Sequence, residues 1–125
     1  MAKRPALKVK IQIYCGTEIA MGPGKADLLD ALIKYGSISA AAKAMGMSYR
    51  RAWMLVDAMN RCWSGPLVDA VAGGGHERGA RVTALGEEVL RRYRAMSASA
   101  DHQAVDDFGG GLAALLAPAP RPSQH

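Results

Sequence analysis

Residues 36–53 have the sequence GSISAAAKAMGMSYRRAW, and this stretch decides the fold that we expect. Its first part favours a short helix with small side chains, Ala40 to Met45, which either Ser37 or Ser39 can cap. Ser48 is a second N-cap residue soon after a glycine, and no Gly or Pro interrupts Tyr49 to Cys62. An alanine-faced helix, a tight turn and a second helix predict a helix-turn-helix.

Two patterned segments precede this helix pair. From Leu7 to Tyr14 apolar and polar residues alternate, and a period of two is typical of a strand with one solvated face. From Lys25 to Tyr35 leucine and isoleucine recur at helical spacing, and Gly36 then supplies a helix stop. We therefore expect an opening strand followed by a first helix.

A hairpin and a last helix follow the pair. Leu67 to Ala72 and Ala80 to Thr83 have strand character, and the glycine-rich loop of residues 73–79 joins them. Thr83 then caps a helix whose apolar residues repeat every three or four positions as far as Met96. This order of elements predicts a mainly α fold with a small β wing, the winged helix-turn-helix.

Charge is distributed unevenly along the 125 residues. The net charge of the whole chain is +5, but residues 1–96 alone carry 15 basic and 8 acidic side chains, which is +7. Residues 97–125 have a net charge of −2 and are rich in Ala, Gly and Pro. We expect a basic domain over residues 1–96 and a disordered tail over 97–125, in which Leu112 to Leu116 could dock on a partner as a helical turn.

Composition and spacing exclude several classes of protein. No apolar run approaches the roughly 20 residues that span a bilayer, and no apolar secretory segment follows the first charges, so we expect a soluble cytoplasmic protein. Cys15 and Cys62 stand 47 positions apart, which predicts two reduced thiols. No nucleophile has an adjacent base, and His76, His102 and His125 lack metal-ligand spacing. We expect no enzyme, no metal site and no cofactor.

The second helix of the pair has two unlike sides when its residues are placed at about 100° intervals. We expect one side to pack and the other to face solvent or a partner. The packing side is formed by Tyr49, Ala52, Leu55, Val56 and Met59, and the opposite side by Arg50, Met54, Asp57 and Arg61.

The first turn of this helix carries the candidate DNA contacts. A helix N-terminus favours phosphates, and the planar fork of arginine matches the guanine edge. The turn contains Ser48, Tyr49, Arg50 and Arg51. We expect the two hydroxyl groups to hold phosphates, and Arg50 and Met54 to contact bases. Met54 could equally be a surface residue at a contact between subunits.

The hairpin loop adds a second candidate surface. His76, Arg78 and Arg81 on a glycine-rich frame suit a wing that follows the DNA backbone or enters the minor groove. Arg78 is the strongest of the three, since an exposed histidine such as His76 is more often only solvated. Ser37, at the start of the short helix, completes the set of candidate DNA-binding residues.

Other charged and aromatic residues have simpler interpretations. Three arginines of the last helix have nearby acidic residues with which to pair. These are Arg91, Arg92 and Arg94, with Glu87 and Glu88 as the expected partners. Trp53 and Trp63 are expected in the core or in an interface, because base-stacking aromatics lie on open sheets or grooves.

Residues 36–53, together with Met59-Asn60, the glycines at 73–75 and Arg81-Val82-Thr83, resemble the N-terminal DNA-binding domain of the ModE family of molybdate-responsive regulators. The resemblance covers about Leu7 to Met96, and its most specific block is Ser-Tyr-Arg-Arg-Ala-Trp at residues 48–53. LysR-type regulators share only the GSISAAA part. The resemblance implies a winged helix-turn-helix that dimerises through its helices and binds palindromic operators, with residues 48–51 on the recognition helix and 73–81 on the wing.

The resemblance has a limit. Full-length ModE members continue into molybdate-binding domains with a Ser-Ala-Arg-Asn motif, which residues 97–125 do not contain. We therefore expect double-stranded DNA and a second copy of the chain as partners, and regard molybdate or tungstate binding as doubtful. The expected dimer contacts are the first helix, the last helix and the opening strand.

Two functions are consistent with these observations. The first is a transcriptional regulator that binds an inverted repeat as a homodimer. The alternative is a winged helix used as a protein-interaction module, or a modulator that forms mixed dimers with a larger regulator.

Overall fold

The computed structural model describes residues 6–72 and 78–123, which form helices and two short antiparallel hairpins. The elements in chain order are β1 (Ile13–Cys15), β2 (Glu18–Met21), α1 (Pro23–Tyr35), α2 (Ile38–Ala44), α3 (Tyr49–Cys62), β3 (Val68–Ala72), β4 (Arg78–Val82), α4 (Ala84–Asp107), a π-helical segment (Phe108–Leu112) and α5 (Ala113–Leu115). This arrangement is compatible with a helix-turn-helix followed by a wing, and helices predominate as expected.

The central helix pair forms as predicted. Ser37 accepts a hydrogen bond from a backbone N–H of α2 at 3.1 Å, so Ser37 rather than Ser39 is the cap. Gly46 in the turn has a φ of +67°, a left-handed conformation that glycine adopts without strain. Ser48 accepts a hydrogen bond from the N–H of Arg51 at 3.0 Å and so caps α3.

Helix α1 supplies a large part of the core. Its first residue is Pro23, so the helix begins before the predicted start at Lys25, in the position where proline is best tolerated. Gly36 ends the helix with a φ of +75°, and its N–H donates to the carbonyl of Leu32 at 2.9 Å. The largest fully buried side chains of the described residues are Met21, Leu28, Leu29, Leu32, Met59 and Leu67.

The predicted hairpin is formed by β3 and β4, whose register runs from Val68 opposite Val82 to Ala72 opposite Arg78. Strand β4 therefore begins before the predicted start at Ala80. The N–H of Ala80 donates to the backbone carbonyl of residue 36 at 2.9 Å, which ties the hairpin to the end of α1. Residues 73–77 of the predicted loop lie outside the described residues.

The N-terminal segment only partly matches the predicted strand. Side chains from Leu7 to Tyr14 alternate between half-buried and exposed, as the period of two predicts. Only Ile13–Cys15 pairs, however, and its partner is β2, a strand that was not expected from the sequence. The turn between the two strands has Gly16 at a φ of +60°. The alternation predicts which side chains face the core, but hydrogen-bonded strand pairing also requires a partner strand of matching length.

Helix α4 continues to Asp107, beyond the domain boundary that we expected at Met96. Residues 97–107 were predicted to belong to a disordered tail, but they are rich in alanine and contain no Gly or Pro, so the helix can continue through them. No residue of α4 after Tyr93 is buried. Despite this length, neither α4 nor any other helix in residues 6–72 and 78–123 is long and apolar enough to cross a membrane.

Candidate nucleic-acid interface

Helix α3 has a packed side and an exposed side. Arg50 and Arg51 are exposed at its first turn, and Met54 is 62% exposed on the next. The N-terminal end of a helix carries partial positive charge, so the two guanidinium groups lie where an anion is already favoured. The buried residues are Ala52, Val56 and Met59, as the helical period predicts.

Tyr49 differs from its predicted position, and Trp53 is more exposed than a core residue would be. The pattern placed Tyr49 on the packing side, but it is the first residue of α3 and is 54% exposed. Trp53, expected in the core or an interface, is 46% exposed one turn later. Both line a cleft of about 510 Å³ between α3, the start of α2 and β3. Trp53 is thus a surface residue that was not among the candidate DNA-binding residues. It lies four positions after Tyr49, and this spacing, which places both side chains on one side of the helix, was the signal that could have identified it.

The remaining candidates lie beside this helix. Ser37 lines the same cleft, where its hydroxyl oxygen accepts the capping hydrogen bond of α2. Arg81 is exposed on β4, opposite Asp69 in the strand register. Arg78 is the first residue of β4. His76 lies outside the described residues, so its predicted role on the wing remains a prediction.

The arginines of α3 and α4, together with Arg81 of β4, form two groups. Within residues 6–72 and 78–123, Arg50, Arg51 and Arg81 form no ion pair, so their N–H donors are available to a partner. The other four are held by carboxylates. Arg61 pairs with Glu18 and Asp57, Arg91 and Arg92 pair with Glu88, and Arg94 pairs with Asp27 and Asp30.

Arg94 corrects one interpretation of the sequence. We expected it to pair with Glu87 or Glu88, but these residues lie nearly two helical turns away on the same helix. Its Nη2 instead contacts Asp27 at 2.9 Å and Asp30 at 2.6 Å, both on α1. The hydrogen bonds to Asp27 and then to Asp30 raise the pKa of Arg94. Arg94 therefore joins α4 to α1.

Arg61 joins the end of α3 to β2. Its Nη2 donates to Oε1 of Glu18 at 2.8 Å, and its Nε donates to Oδ2 of Asp57 at 2.9 Å. The hydrogen bond from Arg61 holds the pKa of Glu18 below its ordinary value of 4.5. The same hydrogen bond is the largest cause of the raised pKa of Arg61.

The variant Glu18→Gln is expected to lose a small, pH-dependent part of the stability. Because folding lowers the pKa of Glu18, the stabilisation is present above its ordinary value of 4.5 and is lost as the pH falls through the folded-state pKa. Urea unfolding of both proteins at several pH values measures this effect. Their difference in unfolding free energy should shrink in acid, and a difference that is constant with pH would contradict the prediction.

The surface of α3 is suited to binding an anion through hydrogen-bond donors. The hydroxyl groups of Ser48 and Tyr49 lie at the positive end of the helix, beside the two unpaired arginines. Across the described residues, no cluster of three or more His, Cys, Asp or Glu side chains could hold a metal ion. The chemistry of this surface is therefore basic and hydrogen-bonding.

Comparison with known proteins gives one group of relatives. Over 82 residues, 66% of this chain, the sequence is 43% identical to the "Molybdenum-pterin-binding protein MopB" of Rhodobacter capsulatus, 30% of which is covered. Over 95 residues, 76% of this chain, it is 39% identical to the "Molybdenum transport protein ModE" of Azotobacter vinelandii, with 34% covered. The homologues of this chain are Mop and ModE proteins.

A third relative carries a more specific name. The "DNA-binding transcriptional dual regulator ModE" of Escherichia coli K12 is 35% identical over 71 residues, 57% of this chain and 27% of that protein. No family model matches the chain. The chain spans about a third of the length of the Mop and ModE proteins that it matches. Among these homologues, some are named for molybdenum and others are named transcriptional regulators.

Proposed function

We propose that this chain is a DNA-binding transcriptional regulator of the ModE type that binds an inverted-repeat operator as a dimer. In this proposal α3 is the recognition helix in the major groove, and the β3–β4 hairpin is the wing. The observation that carries the proposal is that Arg50 and Arg51 form no ion pair with any residue that the structure describes, whereas the other arginines of α3 and α4 are all held by carboxylates.

The exposed side of α3 supports separate roles for its residues. Arg50 and Met54 are one helical turn apart on the side away from the core, so both would reach base edges when α3 enters the groove. Ser48, Tyr49 and Arg51 lie at the N-terminal end, where phosphates are favoured. The name of the E. coli ModE homologue supports the same assignment, since that protein is called DNA-binding.

For the dimer contact we propose a surface formed by α1, α4 and β1. Arg94 holds α1 and α4 together through Asp27 and Asp30, so a second copy would meet both helices as one unit. Ile33 on α1 and Met96 on α4 are large apolar side chains that remain exposed. Burial of such side chains against a second copy would stabilise the dimer.

The variant Arg50→Ala tests the proposed base contact. We expect it to weaken binding to an operator selected from random duplex DNA by about 1–3 kcal/mol, and to relax preference at one base pair. Arg92→Ala is the matched control, because it removes the same charge from an exposed arginine that is already paired with Glu88. Binding constants at several salt concentrations measure both variants, and the control should bind almost as the wild type does.

The variant Arg51→Ala separates a phosphate contact from a base contact. It should weaken binding to the selected and to a scrambled duplex alike, and reduce the salt slope by about 1. Equal binding of the wild-type protein to the two duplexes would contradict sequence-specific recognition. Equal losses from Arg50→Ala and Arg92→Ala would contradict the assignment of the recognition surface to the first turn of α3.

A second function is favoured by one observation. Tyr49 and Trp53 are large aromatic side chains exposed beside a cleft, and aromatic anchors are typical of protein interfaces. They suit the alternative of a protein-interaction module, or of a modulator that forms mixed dimers with a larger ModE protein. Absence of DNA binding even at low salt, together with co-elution with a full-length ModE protein, would favour this alternative.

A further inference from the structure

The residues on either side of Cys62, at the end of α3, both bind the β1–β2 hairpin. Arg61 pairs with Glu18, and the indole Nε1 of Trp63 donates to the carbonyl of Ala20 at 3.0 Å. Cys62 lies between these two anchors in the sequence. Across the hairpin, Cys15 is the register partner of Glu18. The fold therefore brings two cysteines together that the sequence separates by 47 positions.

The Cys15 side chain is a close enough neighbour of Cys62 to affect its titration. The two cysteines are not equivalent, since Cys15 is exposed and Cys62 is half-buried. Burial raises the pKa of the Cys62 thiol, and the neighbouring Cys15 raises it further. Its surroundings therefore favour the protonated form of Cys62, while Cys15 is the thiol that a soluble reagent can reach.

We propose that Cys15 and Cys62 form a reversible dithiol site that reacts with hydrogen peroxide and closes to an intramolecular disulfide. The thiolate of Cys15 attacks one peroxide oxygen, the O–O bond breaks, and the departing hydroxide takes up a proton to become water. Cys15 is then a sulfenic acid. Cys62 gives up its proton and attacks this sulfur, the S–O bond breaks, and a second water leaves as the S–S bond forms.

Closure of this site links the hairpin covalently to the C-terminal end of α3. The closed loop contains the whole of α1 and α2 and nearly all of α3. Such a link restricts the unfolded chain, so the oxidised protein should have a higher thermal midpoint than the reduced protein. An effect on operator binding would depend on the proposed role of α3, whereas the thiol chemistry does not.

Hydrogen peroxide treatment of the full chain tests the site directly. Intact-mass measurement after maleimide labelling should show loss of both reactive thiols and of two hydrogen atoms in a monomer, and dithiothreitol should restore both. Cys62→Ser is the first control, in which Cys15 should accumulate as a sulfenic acid that dimedone traps. Cys15→Ser is the second, in which Cys62 should remain a thiol.

Two results would overturn the proposal. The first is a wild-type product that is a disulfide-linked dimer on a non-reducing gel, since the bond would then join two chains. The second is a wild-type protein whose Cys15 is oxidised while Cys62 still reacts with maleimide after unfolding in urea. Neither measurement involves DNA. A negative result for the disulfide therefore does not contradict the proposed function, and a negative result for DNA binding does not contradict the dithiol site.

Discussion

The variant Gly86→Ala is expected to lower the free energy of unfolding by about 3 kcal/mol. Gly86 is buried in the first turn of α4, where that helix packs on the wing. An added Cβ would lie 2.7 Å from Cγ1 of Val82 and closer still to the carbonyl oxygen of Leu67. This carbonyl accepts a hydrogen bond from the N–H of Thr83 at 2.9 Å, so it cannot move away without breaking that bond.

Urea unfolding measures the effect, with Gly24→Ala as the matched control. Gly24 is a helical glycine of α1, and a Cβ there would meet nothing within 4 Å. The control should therefore be neutral or stabilising by up to about 1 kcal/mol, because alanine favours the helix. A Gly86→Ala protein as stable as the wild type would show that α4 can shift relative to the wing without cost.

The helix pair could be predicted from the sequence because its signals are local. Ser48 follows soon after Gly46, and both the cap and the left-handed turn are decided within a few residues. The same holds for the hairpin, whose strands are close in sequence and pair with each other. The predicted ends were less accurate, since α4 continues well past Met96. Nothing local stops a helix in an alanine-rich segment, so composition alone did not predict its length.

Contacts between distant segments could not be predicted in this way. Arg94 was assigned partners on its own helix, but its carboxylates lie on α1, 67 and 64 positions away. Cys15 and Cys62 were expected to be separate thiols on the basis of their spacing, but their proximity depends on how the hairpin packs against α3. The period of apolar residues and the spacing of charged residues describe one helix or strand at a time, whereas these contacts depend on how several helices and strands are arranged.

In the candidate site too, local features could be predicted from the sequence and contacts between distant segments could not. The exposure of Arg50, Arg51 and Met54 follows from the helical period, and the structure confirms it. The pair of Arg61 with Asp57 is at helical spacing and could be predicted, but its second partner, Glu18, lies 43 positions before Arg61 and could not. Exposure can thus be predicted from the sequence, but the availability of an exposed charge requires the fold.

The variant Asn60→Ala is expected to cost about 3 kcal/mol, because one side chain makes three hydrogen bonds between α3 and the wing. Its Oδ1 accepts from the N–H groups of Leu67 and Val68 at 2.9 and 3.0 Å. Its Nδ2 donates to the carbonyl of Val68 at 3.0 Å. Leu67 and Val68 are buried, so truncation leaves their backbone groups with little access to water.

Asn60→Asp tests how these three bonds contribute. A carboxylate still accepts from both N–H groups, but it cannot donate to the carbonyl of Val68. We therefore expect a smaller loss than for Asn60→Ala, about 1–2 kcal/mol, in urea unfolding at neutral pH. If both variants lost the same free energy, the single donated bond to Val68 would account for the whole effect. If Asn60→Ala lost almost nothing, the position of the hairpin would depend instead on other contacts, such as the hydrogen bond from the N–H of Ala80 to the carbonyl of residue 36 at the end of α1.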